Sequence, residues 1–329
     1  LIGGRSIAEL RERLMLVNPR LQELMGLPVY PDVASLPKVP DVAVIATPPS
    51  TVPALVEALA ARGVRGAIVL TAGMDADYGD GRTIRQAMLD AARPAVFRIL
   101  GPNCVGALVP SANLNASFAH RSALPGKIAF VSQSGALVTA VLDWAHARGI
   151  GFSHVVSLGD ASDIDVGDML DYLATDPQTG AILVYIEDVR HARKFMSAAR
   201  GAGRNKPVLV LKTGRAPEGA RAAASHTGAL AGLDAVVDSA IRRAGMLRVL
   251  STDGLFDAVE TLSRAQPLRS EELIIVTNGG GPGVMATDAL MLSGGRIATL
   301  PPETVAALNA VLPVNWSHGN PIDIIGDAP

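Results

Sequence analysis

The sequence is 329 residues long, more than one ordinary hydrophobic core supports, and is expected to fold as two or three domains. Apolar residues make up 49% and charged residues 18% of a chain with 33 glycines, which points to small-residue helices packed closely on sheets. A formal net charge of −2 (29 basic, 31 acidic) excludes a basic stripe for nucleic acid or a polybasic membrane patch, and the single Cys104 excludes a disulfide framework and a Cys-based zinc site.

The opening "LIGGRSIAELRERLMLVNP" carries Glu9 and Glu12 and has no secretory apolar core; no run in the chain reaches the roughly 20 apolar residues of a membrane helix. A reducing cytoplasm is the expected compartment. The first residue is not Met and the end, "NPIDIIGDAP", stops just after an apolar strand-like run, so the chain is expected to be part of something longer.

In chain order, a helix is predicted over 6–13 and strands over 14–17, 42–46, 66–70 and 95–100, with helices over 51–63 and 82–92 between them. The Pro-, Ser- and Asn-rich stretches 30–41 and 108–126 read as linkers, the second marking a domain boundary near residue 122. A second unit follows: strands over 127–132, 153–158, 181–187 and 207–212, helices over 135–148, 166–174, 190–202 and near 233–244. A third begins with the strand "ELIIVTN" and the glycine loop "TNGGGPG", and runs towards "NPIDII". Apolar strands alternating with amphipathic helices are the pattern of α/β modules on parallel sheets.

In such sheets ligands bind beyond the carboxyl ends of the strands. In the first unit those ends carry Asn18–Pro19, Thr47–Pro48–Pro49, "TAGM" and "GPNCVG" with Asn103 and Cys104, small-residue loops that suit a nucleotide-like ligand. No Walker A pattern and no G-x-G-x-x-G turn is present. In the second unit, Ser132, Gln133, Ser134 and Gly135 form a tight turn opening a helix, where several free backbone N–H groups and the helix dipole suit an anion; Ser134 equally suits a helix cap. Glu187 ends an apolar strand, where a carboxylate needs solvent or a donor. Asp160, Asp163, Asp165 and Asp168 lack the spacing of a calcium loop and are expected to serve as caps and turns. Of six histidines, His120, His146, His154, His191 and His318 read as ordinary polar residues, and no metal-ligand spacing occurs. His226 differs: it lies between Ser225 and Thr227 in a glycine-flanked stretch after a strand.

"SHTGALAG", together with "GPNCVG", "VSQSGA", "SLGDASDIDVGDMLDYL" and "GNPIDIIGDA", resembles the NDP-forming acyl-CoA synthetases, relatives of succinyl-CoA synthetase that include ADP-forming acetate–CoA ligase, most closely the bacterial form fused to a GNAT acetyltransferase domain. The resemblance implies a Rossmann-like CoA-binding domain over 1–122, a succinyl-CoA-ligase-like flavodoxin domain over 123–267 and an incomplete second one over 268–329. It implies conversion of acetate, CoA and ATP to acetyl-CoA, ADP and phosphate through an acyl phosphate and a phosphohistidine on His226. Glu187 would hold the imidazole, Ser132, Gln133, Ser134 and Gly135 the phosphate, and Asn18, Pro19, Thr47, Pro48, Pro49, Asn103 and Cys104 the CoA. ATP or ADP with Mg2+ would sit on an ATP-grasp domain outside this chain, in the same polypeptide or a separate subunit, and an oligomer is expected. The alternative is a regulatory acyl-CoA-binding portion of a GNAT-type protein lysine acetyltransferase. The presence of His226 and Glu187 favours the ligase.

Overall fold

The run Ala181–Ile186 is apolar at every position without alternation, the pattern of a strand covered on both faces. In the computed structural model, which describes residues 12–219, 221, 234–264 and 270–326, it lies inside a seven-stranded sheet. The chain divides into two compact units, Leu1–Arg264 and Ala265–Pro329.

The first unit begins with a small sheet, β1 (Leu16–Val17), β2 (Glu23–Leu24) and β3 (Leu27–Tyr30), in the order β1-β3-β2. Three parallel strands follow, β4 (Ala43–Ile45), β5 (Gly66–Val69) and β6 (Arg98–Leu100), with helices α1 (Val52–Ala61) and α2 (Ile84–Ala92) between them. Val52, Val56 and Leu59 of α1 and Ile84 and Met88 of α2 close over Ile45, Val69 and Ile99, while Met15, just before β1, and Tyr30 of β3 pack on the same core.

The larger sheet comprises β7 (Gly106–Val109), β8 (Leu114–Ser117), β9 (Pro125–Ser132), β10 (Phe152–Ser157), β11 (Ala181–Ile186), β12 (Val208–Lys212) and β13 (Leu247–Val249). Their order is β13-β12-β11-β9-β10-β7-β8. Helices α3 (Gly135–Ala147), α4 (Val166–Thr175), α5 (Ala192–Asn205), α6 (Asp234–Arg243) and α7 (Thr252–Arg264) cover its faces. Ile182, Val184 and Ile186 of β11 pack with Leu170 of α4 and Phe195 and Ala199 of α5. Leu183 faces the other way, towards Val141 and Leu142 of α3 and Leu255 and Val259 of α7. The chain leaves β9 through α3 to β10 on one side, then returns through α4 to β11 on the other. The carboxyl end of β9 is therefore the topological switch point of the sheet.

Two sequence expectations are corrected. The stretch 108–126 is not an extended linker: β7 and β8 form an antiparallel hairpin on the edge of the larger sheet, β7 pairing with β10. The proline and asparagine that suggested a linker make the hairpin turn, a short 3₁₀ segment Pro110–Ala112 followed by Asn113 at φ +51°. The predicted strand 272–278 is broken into two.

In the second unit β14 (Glu272–Leu273) pairs with β16 (Arg296–Ile297) and β15 (Val276–Thr277) with β17 (Ile322–Asp323). Asn320 fills the break: its amide accepts from Ile275 N (3.0 Å) and donates to Leu273 O and Ala298 O (both 2.9 Å), replacing ladder bonds. Helices α8 (Gly280–Leu292) and α9 (Pro302–Asn309) complete this unit. The glycines of "TNGGGPG" lead from β15 into the first turn of α8, and Gly283 admits close packing on β15: a Cβ there would lie 2.9 Å from Thr277 Cγ2.

Candidate functional site

Ser132, Gln133, Ser134 and Gly135 lie at the switch point. Ser134 takes the extended backbone of an N-cap and its Oγ accepts from Leu137 N at 3.3 Å, so the cap reading is realised. The fully buried Ser132 Oγ accepts from Ser134 N (3.0 Å) and donates to Ser134 O (2.8 Å), and Gln133 N donates to Tyr185 O. Of the first four N–H groups of the helix, those of Ser134 and Leu137 are therefore used. Among the described residues, those of Gly135 and Ala136 donate to no protein acceptor, which leaves two donors at the positive end of a 13-residue helix.

Gln133 ties this turn to the neighbouring strand end. Its Oε1 accepts from Glu187 N (2.6 Å) and Asp188 N (3.1 Å), and its Nε2 donates to Asp188 O (3.2 Å). Glu187, half-buried one residue beyond β11, is thus fixed at its backbone beside the α3 N-terminus. Its carboxylate helps to hold the Tyr185 phenol above its ordinary value, where burial is the larger cause. Tyr185 in turn donates to Thr213 Oγ1 at 3.2 Å. His226 lies outside the described residues.

The first-unit loops also converge. Thr51 donates to Thr47 Oγ1 (2.8 Å), Thr71 Oγ1 donates to Thr47 O (2.8 Å), and Asn103 N donates to Thr71 O (2.9 Å), so the ends of β4, β5 and β6 are stitched together. Pro48 is exposed and Pro49 half-buried; a Cβ added to Gly73 would lie in ordinary contact, 3.6 Å from Pro49 Cγ. Asn103 sits at φ +56° and donates through its side chain to Asp160 Oδ1 at 3.1 Å. Asn18 caps its own turn through Arg20 N (2.9 Å) beside the exposed Pro19; among the described residues no hydrogen bond joins this pair to the Thr47 or Asn103 loops.

Cys104 does not line a surface. It is buried, its thiol points to Val69 O (3.4 Å), and burial pushes its pKa up to about 12. The thiol fills the core below the turn, so at this position only the backbone faces the loop surface where CoA is expected.

The two sets of loops adjoin. Val105 N donates to Ser157 Oγ (3.0 Å), and a Cβ on Gly135 would lie 2.8 Å from Val105 Cγ2, so only glycine lets the GPNC turn abut the α3 N-terminus. Arg85 reaches across to Asp160 (2.9 Å), and Arg98 to Asp163 (3.0 Å). Asp165 caps α4 in a reciprocal capping box with Asp168, and Lys194 bridges both. The aspartate run thus supplies caps and cross-links. Elsewhere His120 pairs with Asp143 and His318 bonds Asn309 and Val314 O.

Sequence reasoning missed Gln133's bridging role, the need for Gly135, and Lys212. Lys212 ends β12 buried, its ammonium donating to Thr213 O, and burial holds its pKa below the ordinary value. A lysine closing an otherwise apolar strand was the available signal.

Three family models match in succession: a CoA binding domain over residues 5–110, a succinyl-CoA ligase like flavodoxin domain over 125–262, and a ligase-CoA domain over 273–329. The chain is 41% identical to the ADP-forming acetate–CoA ligase I of Archaeoglobus fulgidus, over 95% of this chain and 45% of that protein. It is 35% identical to the alpha subunit of ADP-forming acetate–CoA ligase II of Pyrococcus furiosus, over 95% of this chain and 68% of the subunit. Among solved structures it resembles the dinucleotide forming acetyl-coenzyme A synthetase 1 of Ca. Korarchaeum cryptofilum, determined with phosphate and ADP, with a TM-score of 0.86 and 38% identity over 94% of this chain and 67% of that one. The chain spans less than half the length of the Archaeoglobus ligase. No helix among the described residues is long and apolar enough to cross a membrane. With its succession of domain matches, its α/β sheets and these relatives, the chain belongs to the NDP-forming acyl-CoA synthetase family, as part of the branch that contains the ADP-forming acetate–CoA ligases.

Proposed function

We propose that the chain is the CoA-binding and phosphohistidine-bearing portion of an ADP-forming acyl-CoA synthetase that acts on a small carboxylic acid. The observation that carries this reading is Gln133, which couples a helix N-terminus with two N–H groups that meet no acceptor among the described residues to the strand end bearing Glu187, at the switch point of the sheet. In the direction of ATP formation, a phosphate oxygen attacks the thioester carbonyl of acyl-CoA and the CoA thiolate leaves, giving an acyl phosphate. A neutral imidazole nitrogen of His226 then attacks phosphorus and the carboxylate leaves. The terminal oxygen of ADP finally attacks the N–P phosphorus, which regenerates His226 and gives ATP. An imidazole suits this relay because it is largely neutral at pH 7 and its N–P bond is labile. Glu187 would orient the ring and balance its charge, while Gly135 N–H and Ala136 N–H would hold the phosphoryl oxygens.

CoA would lie on the joined loops of Thr47, Pro48, Pro49 and Asn103, with Asn18 and Pro19 at the margin; Cys104 contributes packing only. The adjoining of Val105 and Gly135 supports this division, because a CoA on those loops would then have its thioester end near the turn proposed for phosphate. The nucleotide and Mg2+ belong to an ATP-grasp portion, either on the same polypeptide or on a partner subunit, and the cytoplasm is the compartment this chemistry suits. Small side chains around the turn favour acetate or propionate. The relatives named above are ligases, which favours this reading over an acyl-CoA-sensing module of an acetyltransferase.

The test is labelling of the full-length protein, with its ATP-grasp portion, from γ-labelled ATP. An acid-labile, base-stable label lost in His226→Ala is expected; undiminished labelling of that variant would refute the mechanism.

A further inference from the structure

At the switch point, α3 leaves β9 on one face of the sheet and α5 leaves β11 on the other, which opens a crevice between the two strand ends. On the α5 side this crevice narrows to a small cavity walled in part by Gln133. Its floor is apolar: Ala161, Val166 and Phe195 are buried, Val189 is half-buried, and all four pack on the core under α4 and α5. The carboxylates at its rim already have partners. Asp165 accepts from Gly167 N (2.8 Å) and Asp168 N (3.2 Å) and pairs with Lys194 (2.9 Å), while Asp188 pairs with Arg190 at 3.5 Å. Arg190 is therefore opposed, and an entering anion gains little from it, whereas a hydrocarbon group meets four apolar side chains.

Size decides which hydrocarbon group fits. The cavity holds about 20 Å³, and one water-sized group needs about 10–15 Å³. A methyl or ethyl group is admitted and a longer chain is not. Gln133 links this space to the proposed chemistry: its side chain walls the cavity, its backbone lies in the Ser132–Gly135 turn, and its Oε1 ties that turn to Glu187 N and Asp188 N. An acid whose carboxyl group sits at the turn can thus place its alkyl end in the cavity. We propose that this cavity is the acyl-tail subsite, and that Val189, with Val166 and Phe195, restricts the substrate to acetate and propionate. This rests on the reading of the turn as the phosphate site and of His226 as the phosphoryl carrier. Val189 is the residue to vary, because it is half-buried and a change of its size alters the cavity with least disturbance of the core.

The test uses the full-length enzyme with its ATP-grasp portion, supplied in turn with acetate, propionate and butyrate. Val189→Ala removes two methyl groups from the wall, and the ratio of kcat/KM for butyrate to that for acetate should rise about 10-fold, the scale of one methylene in an apolar pocket. Val189→Leu adds one methylene, and kcat/KM for propionate should fall about 10-fold relative to acetate. Opposite shifts from the two changes are a result that a merely structural role does not give. Labelling of His226 from γ-labelled ATP precedes entry of the acid, so it reports that each variant is folded. Should Val189→Ala fold poorly, Val189→Leu carries the test. Labelled variants that keep the parent's ratios, or whose preference moves the same way in both, overturn the subsite alone. Absence of label on His226 in the parent enzyme overturns both the subsite and the reading beneath it.

Discussion

Replacing Gln133 with leucine tests the bridge between the two halves of the proposed phosphate site. The substitution keeps the side-chain volume roughly constant but removes acceptance from Glu187 N at 2.6 Å and Asp188 N at 3.1 Å, and donation to Asp188 O at 3.2 Å. Three such bonds contribute about 1 kcal/mol each, and half-burial lets water replace part of the loss, so about 2 kcal/mol of destabilisation is expected. For a unit of this size that lowers Tm by about 4–8 °C. The chemical effect should be larger. Glu187 loses the contact at its own N–H and both contacts at the neighbouring Asp188, which together fix this strand end beside the α3 N-terminus, and a displacement near 1 Å lowers turnover about 100-fold. Thermal melting followed by circular dichroism gives the first number, and phospho-His226 formation with steady-state turnover gives the second. Gln133→Glu keeps both accepting bonds but sets a carboxylate beside Glu187, so it should melt between the two proteins while turning over slowly. A Gln133→Leu enzyme that melts and turns over like its parent would refute the reasoning.

Ser134→Ala should lose about 1 kcal/mol of cap energy, and Ser134→Asp should restore the cap while placing a negative charge where phosphate is proposed to bind; stability then recovers in urea melts but phosphoryl transfer does not. Cys104, buried and pushed up to about 12, should resist aromatic disulfide reagents in the native protein and react once denaturant is added, and Cys104→Ser should leave the KM for CoA unchanged. Burial holds His154 below its ordinary 6.5, against the opposing pull of Asp176 at 3.6 Å and with Lys206 and the Tyr172 hydroxyl nearby. The unfolded chain therefore takes up the His154 proton first, and stability should fall as pH drops through about 6.5. His154→Gln should remove that part of the loss in urea titrations at successive pH values.

Much of the fold was legible because strands covered on both faces are written as unbroken apolar runs. The strands at 152–157, 181–186 and 208–212 fall within a residue or two of the expected bounds. Strands with other environments were not legible. Residues 106–117 form an edge hairpin whose turn residues resemble those of a linker, and 272–277 is interrupted by an amide from 320, some 45 positions away in sequence. At the site, the turn before α3 and the strand-end Glu187 were visible by residue type. The bond joining them was not, since a glutamine bridging 54 positions leaves no local trace. Gly135 likewise owes its necessity to Val105, and Cys104 its burial to Val69, neither of which is a neighbour in the chain.

The hairpin of β7 and β8 also decides where this polypeptide can be divided. A cut near residue 122, in a stretch that reads as a linker, would strip β7 from β10 and open the edge of a strand whose six residues are all buried. The larger piece would then present an unpaired, apolar ribbon of the kind that recruits other chains into aggregates. A cut before β7 spares that edge but severs the chain at the GPNC turn, whose Gly101 O and Pro102 O accept from Ser162 N and Asp160 N. Recombining modules between relatives of this protein should therefore succeed when the hairpin travels with the larger sheet and the Asp160–Ser162 loop is matched to the incoming turn.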